Sequence, residues 1–114
     1  MVATFPAYNE VYNLVLRVFD LAKGFNREIR LAEEETIIRY GTELLRTLIR
    51  MRRNQSSDLP LDYLWEDFDF LKMELLQCAE MGVYSDETLL ELKLHMTDIE
   101  KQWAPLGYTE ILIR

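Results

Sequence analysis

The sequence predicts an all-α fold, an antiparallel up-down-up-down four-helix bundle. Three observations lead there. Apolar residues recur at steps of three and four in four segments of similar length. Short breaks carrying glycine, proline or a polar cluster separate those segments. No alternating stretch is long enough for a sheet, and only Tyr108–Ile113 reads as an extended arm.

The first helix is expected from about Pro6 to Lys23, with Gly24 as its stop. Tyr8, Val11, Tyr12, Val15, Val18, Phe19 and Ala22 give it an apolar arc wider than a single stripe. The second runs from about Ile29 to Arg53 and leaves through Asn54-Gln55-Ser56-Ser57. Asp58 is a suitable N-cap for the third, with Pro60 tolerated in its first turn, and this helix reaches Met81 before Gly82. Ser85 caps the fourth, where Asp86 and Glu87 suit the positive end of the helix dipole. It runs to about Trp103 and stops at Pro105, leaving residues 104–114 as a tail. With 114 residues, the chain reads as one domain with one core.

Hydrophobic residues make up 49% of the chain, enough to fold rather than stay disordered. Charge is polarised along it. Residues 1–55 hold nine Lys/Arg and seven Asp/Glu, a balance of +2, while residues 56–114 hold four and thirteen, a balance of −9. The total is −7, so the protein is not generally basic. The lone Cys78 excludes an internal disulfide and reads as a buried thiol beside an apolar face. Met1–Pro6 lacks a basic start and an apolar run, no stretch of about 18 apolar residues exists, and the expected compartment is the cytoplasm.

Chemistry finds little support in the sequence. A di-metal bundle site needs Glu-x-x-His pairs, but the only histidine, His95, has Glu91 four residues before it and reads as a boundary residue pairing with that acid. Cys78 has no evident base, and the four glycines stand alone, so no phosphate loop exists. The expected bundle core is all apolar. No catalytic residue, metal or cofactor is assigned.

Two features point to binding. Arg39, Arg46, Arg50 and Arg53 fall within roughly 60° of arc on the second helix, opposite the apolar face set by Ile37, Leu44 and Leu48. With Arg52, they form a candidate site for nucleic acid or an acidic partner. The alternative is neutralisation within the bundle, with Arg39 between Glu35 and Glu43, Arg50 near Asp62 and Arg53 near Asp58. Second, the third helix carries two apolar stripes. Leu61, Leu64, Phe68, Leu71 and Leu75 serve the core, while Tyr63, Phe70 and Met81 lie more than a third of a turn away. The fourth helix repeats this with Leu90 and Leu94 outside its own core line. A bundle buries one face per helix, so Tyr63, Phe70, Met81, Leu90 and Leu94 are the expected homo-oligomer interface.

Three short stretches carry a resemblance. Tyr8-Asn9-Glu10-Val11-Tyr12-Asn13-Leu14 opens the first helix. Lys23-Gly24-Phe25-Asn26-Arg27-Glu28-Ile29-Arg30 matches a Phe-Pro-x-x-x-Arg turn, with Asn26 where proline is usual. Gly82-Val83-Tyr84-Ser85-Asp86-Glu87 leads into the last helix, where Asp98-Ile99 matches an acidic-Ile pair and Glu100 stands where glycine is frequent. In these motifs, over roughly Tyr8 to Trp103, the chain resembles the bacterial four-helix-bundle superfamily of ribosomal-RNA intervening-sequence proteins and accessory variability determinants of diversity-generating retroelements. The Leu44-Leu45-Arg46-Thr47-Leu48-Ile49-Arg50 run favours the retroelement branch. The resemblance implies a barrel-shaped homopentamer without enzymatic activity, a scaffold that binds a reverse transcriptase and its template RNA during mutagenic cDNA synthesis. The alternative expectation is a protein-only interaction module.

Overall fold

The computed structural model describes residues 5–25, 27–53 and 61–110. Among these residues there are four α-helices and no strand: α1 (Tyr8–Lys23), α2 (Arg27–Arg53), α3 (Leu61–Glu80) and α4 (Asp86–Trp103). A single 3-10 turn, Ala104–Leu106, follows α4. The helices form a four-helix bundle in which α1 packs on α2 and α4, and α3 packs on the same two.

The helix ends have local causes. Phe5, Pro6 and Ala7 make a turn closed by Tyr8 N–H donating to the Phe5 carbonyl at 3.0 Å. Ala7 sits at φ 64°, off the helical path, so α1 starts at Tyr8 rather than Pro6. Gly24 ends α1 in a right-handed conformation, its N–H reaching the Leu21 carbonyl. The expected Asp58 cap lies outside the described residues. Gly82, at φ 74°, closes α3, and Val83 N–H reaches back to the Cys78 carbonyl at 3.1 Å. The Ser85 hydroxyl accepts from Thr88 N–H at 3.1 Å, as its N-cap position predicts.

All four helices contribute to one core, with Leu14 added to the expected line of α1 and Tyr12 left out of it. Val11, Leu14, Val15 and Val18 of α1 meet Ile37, Leu44 and Leu48 of α2, Leu64, Phe68, Leu71 and Leu75 of α3, and Leu92, Met96, Ile99 and Trp103 of α4. Each such side chain, fully buried, contributes about 1.5–3 kcal/mol relative to exposure. Gly41 lets α1 and α2 come together: a Cβ there would lie 2.7 Å from Phe19 Cε1 and 3.3 Å from Val15 Cγ1.

One end of the core is aromatic. Trp103 packs against Trp65 and Phe68, each at 5.1 Å between ring centroids, and its indole N–H donates to the Pro6 carbonyl at 2.8 Å. Gly107, at φ 107°, turns the chain after α4 and lets Tyr108 fold back between Trp65, Phe68 and Trp103. The expected extended arm therefore does not begin at Tyr108, which is buried in its own chain. Residues 111–114 lie outside the described residues.

The core is also not wholly apolar, contrary to expectation. Lys72 and Glu100 are buried, and Lys72 Nζ lies 3.1 Å from Glu100 Oε2 and 3.0 Å from Glu110 Oε1. The Tyr108 hydroxyl joins this network, donating to Asp69 at 2.7 Å with Glu100 Oε2 at 3.3 Å. Thr47 of α2 is buried too, and its hydroxyl donates to Asp67 of α3 at 2.7 Å.

Candidate functional site

Arg39, Arg46, Arg50, Arg52 and Arg53 are all exposed along α2. An α-helix rises about 1.5 Å per residue, so the row from Arg39 to Arg53 extends over about 21 Å. The rigid core side of α2 (Ile37, Leu44, Leu48, Met51) holds the row in place.

The alternative of neutralisation within the bundle is met in part: among the described residues none of these arginines lies within ion-pair distance of an acid on another helix, but the charge of Arg50 acts on Asp67 and that of Arg39 on Glu74, both of α3. Arg46 approaches only Glu43, one turn earlier on its own helix, at 3.5 Å. Arg39 lies over the Tyr40 ring at 5.4 Å and makes no ion pair with Glu35 or Glu43. Arg50 makes none with Asp62, and the Arg53–Asp58 pairing lies outside the described residues. Asp67 and Asp69, the α3 carboxylates turned inward, are occupied by Thr47 and Tyr108. Arg52 behaves differently from the others: its guanidinium lies 5.0 Å from the centroid of the Tyr8 ring and donates to the Tyr8 hydroxyl at 3.3 Å. That contact ties the end of α2 to the start of α1.

The surface thus splits by charge. α2 offers guanidinium groups, whereas the outward acids of α3, Asp62, Glu66 and Glu80, have no exposed cation on their own helix, because Lys72 is buried. Burial depresses Lys72, but hydrogen bonds to Glu110 and Glu100 and the charge of both acids outweigh it and hold the ammonium above its ordinary range. Burial raises Asp69, against the lowering hydrogen bond from Tyr108, and burial likewise raises the Tyr108 hydroxyl. This cluster locks α3, α4 and the returning tail together.

The expected interface residues divide. Tyr63 is 69% exposed, Leu94 63% and Leu90 59%. Phe70 is exposed on one side and stacks on Tyr40 with the other, at 5.6 Å and 17° between ring planes. Met81 is only partly exposed. Sequence reasoning missed Leu31, Ile38 and Ile49 of α2 and Met73 of α3, all exposed, while Tyr12, placed in the wide apolar arc of α1, is exposed at its edge. The signal was available in the seven-residue spacing of Leu31, Ile38 and Leu45.

The chain has no match among protein-family models, curated proteins or solved structures. Cys78 is buried, with Sγ 3.8 Å from Glu74 Oε1. Glu91 accepts from Arg17 of α1 at 2.7 Å, and that hydrogen bond is the main cause lowering its pKa, with the charges of Arg17 and His95 acting in the same direction. Among the described residues, no group of three or more His, Cys, Asp or Glu side chains could hold a metal ion. No helix among them is long and apolar enough to cross a membrane.

Proposed function

We propose that this protein is a non-catalytic, homo-oligomeric scaffold in the cytoplasm whose α2 arginines dock a reverse transcriptase and its template RNA. The observation that carries this reading is the row Arg39, Arg46, Arg50 and Arg53, exposed and without a cross-helix ion pair among the described residues. Guanidinium groups held on a rigid helix suit phosphate and planar acidic groups. At phosphate distances a local row outweighs the net charge of −7, since screening removes contributions from beyond about 8–10 Å. The family expectation of a retroelement accessory pentamer rests on the motifs of the α1–α2 and α3–α4 turns.

The antiparallel arrangement belongs to the same reading, and the residue pairings favour it. Tyr8 meets Arg52 whereas Phe19 meets Gly41, so advancing along α1 retreats along α2. Tyr40 meets Phe70 whereas Thr47 meets Asp67, Phe5 meets Trp103 whereas Arg17 meets Glu91, and Phe68 meets Trp103 whereas Lys72 meets Glu100.

The test replaces Arg46, Arg50 and Arg53 together by glutamate. The expected result is loss of RNA and polymerase association, with helical content unchanged by circular dichroism. Each arginine–phosphate pairing removed lowers the slope of log affinity against log salt by about 0.7–0.9. Binding that survives with an unchanged slope overturns the site. The acidic net charge favours a second reading, a protein-only module, in which RNA binding is weak even at low salt.

A further inference from the structure

Two lines of exposed side chains follow coiled-coil spacing and carry opposite charge. On α2, Leu31, Ile38 and Leu45 stand seven residues apart and Ile49 follows four later; Leu45 is half-buried and the other three are exposed. On α3, Tyr63, Phe70 and Met73 stand seven and three residues apart and are exposed. Such spacing gives a seam that another helix can fill. The α2 seam is bordered by Arg39, Arg46 and Arg53, themselves seven apart. The α3 seam is bordered by Asp62 and Glu80 and carries Glu66 between Tyr63 and Phe70, with no exposed cation on that helix.

From these two seams we propose that one copy's α2 seam packs against the α3 seam of a second copy. Charge selects that pairing from the three available. Two α2 seams would set arginine against arginine, and two α3 seams acid against acid, while α2 on α3 sets arginine against carboxylate. At the helical rise Leu31 to Ile49 spans about 27 Å and Tyr63 to Met73 about 15 Å, so the α3 seam covers part of the α2 seam. On α2, Tyr40 and Thr47 face α3, whereas Gly41 and Arg52 face α1. Ile38 and Leu45 lie around the helix beyond Gly41, on the side away from α3. Each protomer therefore keeps one seam of each kind open after the first contact. The association is head-to-tail and continues until a ring closes or a filament grows. It leaves Arg50, about 120° around α2 from the seam, outside the contact. The inference rests on the homo-oligomer part of the proposed function, and it assigns Arg39, Arg46 and Arg53 to the subunit contact rather than to RNA.

The experiment is light scattering on the full chain and two variants, I38D/I49D on α2 and Y63R/E66R on α3, each checked for helical content. Wild type is expected at a multiple of 13.6 kDa, and each variant alone at 13.6 kDa. Mixed, the variants are expected to form a one-to-one complex of twice that mass, because one intact α2 seam meets one intact α3 seam. Absence of that complex, with both variants folded, overturns the head-to-tail contact. Multimers unaffected by either variant overturn the seams and leave the oligomer reading standing, whereas a monomeric wild type removes both. If either variant fails to fold, R39E/R46E/R53E, confined to exposed groups, takes its place and is expected to dissociate the assembly. Loss of RNA from that variant at unchanged mass assigns the α2 seam to RNA and overturns the proposal.

Discussion

Lys72 of α3 and Glu100 of α4 meet at 3.1 Å with each side chain only 9% exposed. A buried pair of this kind is costly to break singly, since the remaining charge has no solvent. Lys72→Met is therefore expected to destabilise the fold by about 3–5 kcal/mol, and Lys72→Met with Glu100→Leu by much less. Urea unfolding followed by circular dichroism separates the two. Equal losses would mean that the pair contributes packing rather than charge compensation.

Tyr108 anchors the returning tail with its ring and its hydroxyl. Tyr108→Phe keeps the contacts with Trp65, Phe68 and Trp103 but removes the donor to Asp69, an expected loss of about 1–3 kcal/mol. Tyr108→Ala also opens a cavity and is expected to cost about 3–5 kcal/mol, the range for truncating a buried aromatic. Both tryptophans border this site, so their emission is expected to shift to the red in the alanine variant and to hold its position in the phenylalanine one.

Gly41→Val is expected to destabilise the bundle by about 1–3 kcal/mol. Its Cβ would stand 2.7 Å from Phe19 Cε1, and the added methyl groups would press further into α1. A gain in helix propensity of under about 1 kcal/mol does not offset this. Thermal unfolding of the variant beside Phe19→Ala/Gly41→Val tests the cause, because removing the ring should recover part of the loss.

Asp67 makes a prediction about pH. Burial raises its pKa above the ordinary 3.8, against the lowering hydrogen bond from Thr47. A carboxyl raised in the folded state binds its proton more tightly there than in the unfolded chain. Its contribution is thus favourable at low pH and is lost as pH rises from the unfolded value through the folded one. Asp67→Asn keeps an acceptor for Thr47 and removes that ionisation. It is expected to gain stability near neutral pH, by less than about 1 kcal/mol given solvent screening, and to match wild type near pH 4. Urea midpoints across that range decide it.

The helices, their order and most of the core were legible in the sequence because they depend on local periodicity and on residues such as Gly82, Ser85 and Pro105 that act within a turn or two. The solvent-facing arginine row was legible for the same reason. Partners across helices were not. Asp67 and Asp69 sit on the acid-rich side of α3, yet Thr47 and Tyr108, twenty and thirty-nine residues away, claim them. Glu91 is one turn from His95, yet Arg17 of α1 binds it.

By itself, the sequence determined the four amphipathic segments, their breaks and the charge contrast between the two halves. These follow from the helical repeat and from composition. Tertiary structure alone decided the buried Lys72–Glu100 pair, the return of Tyr108 and the close approach at Gly41. Each depends on which side chains the packed helices bring within a few ångströms, and periodicity along one helix carries no information about that distance.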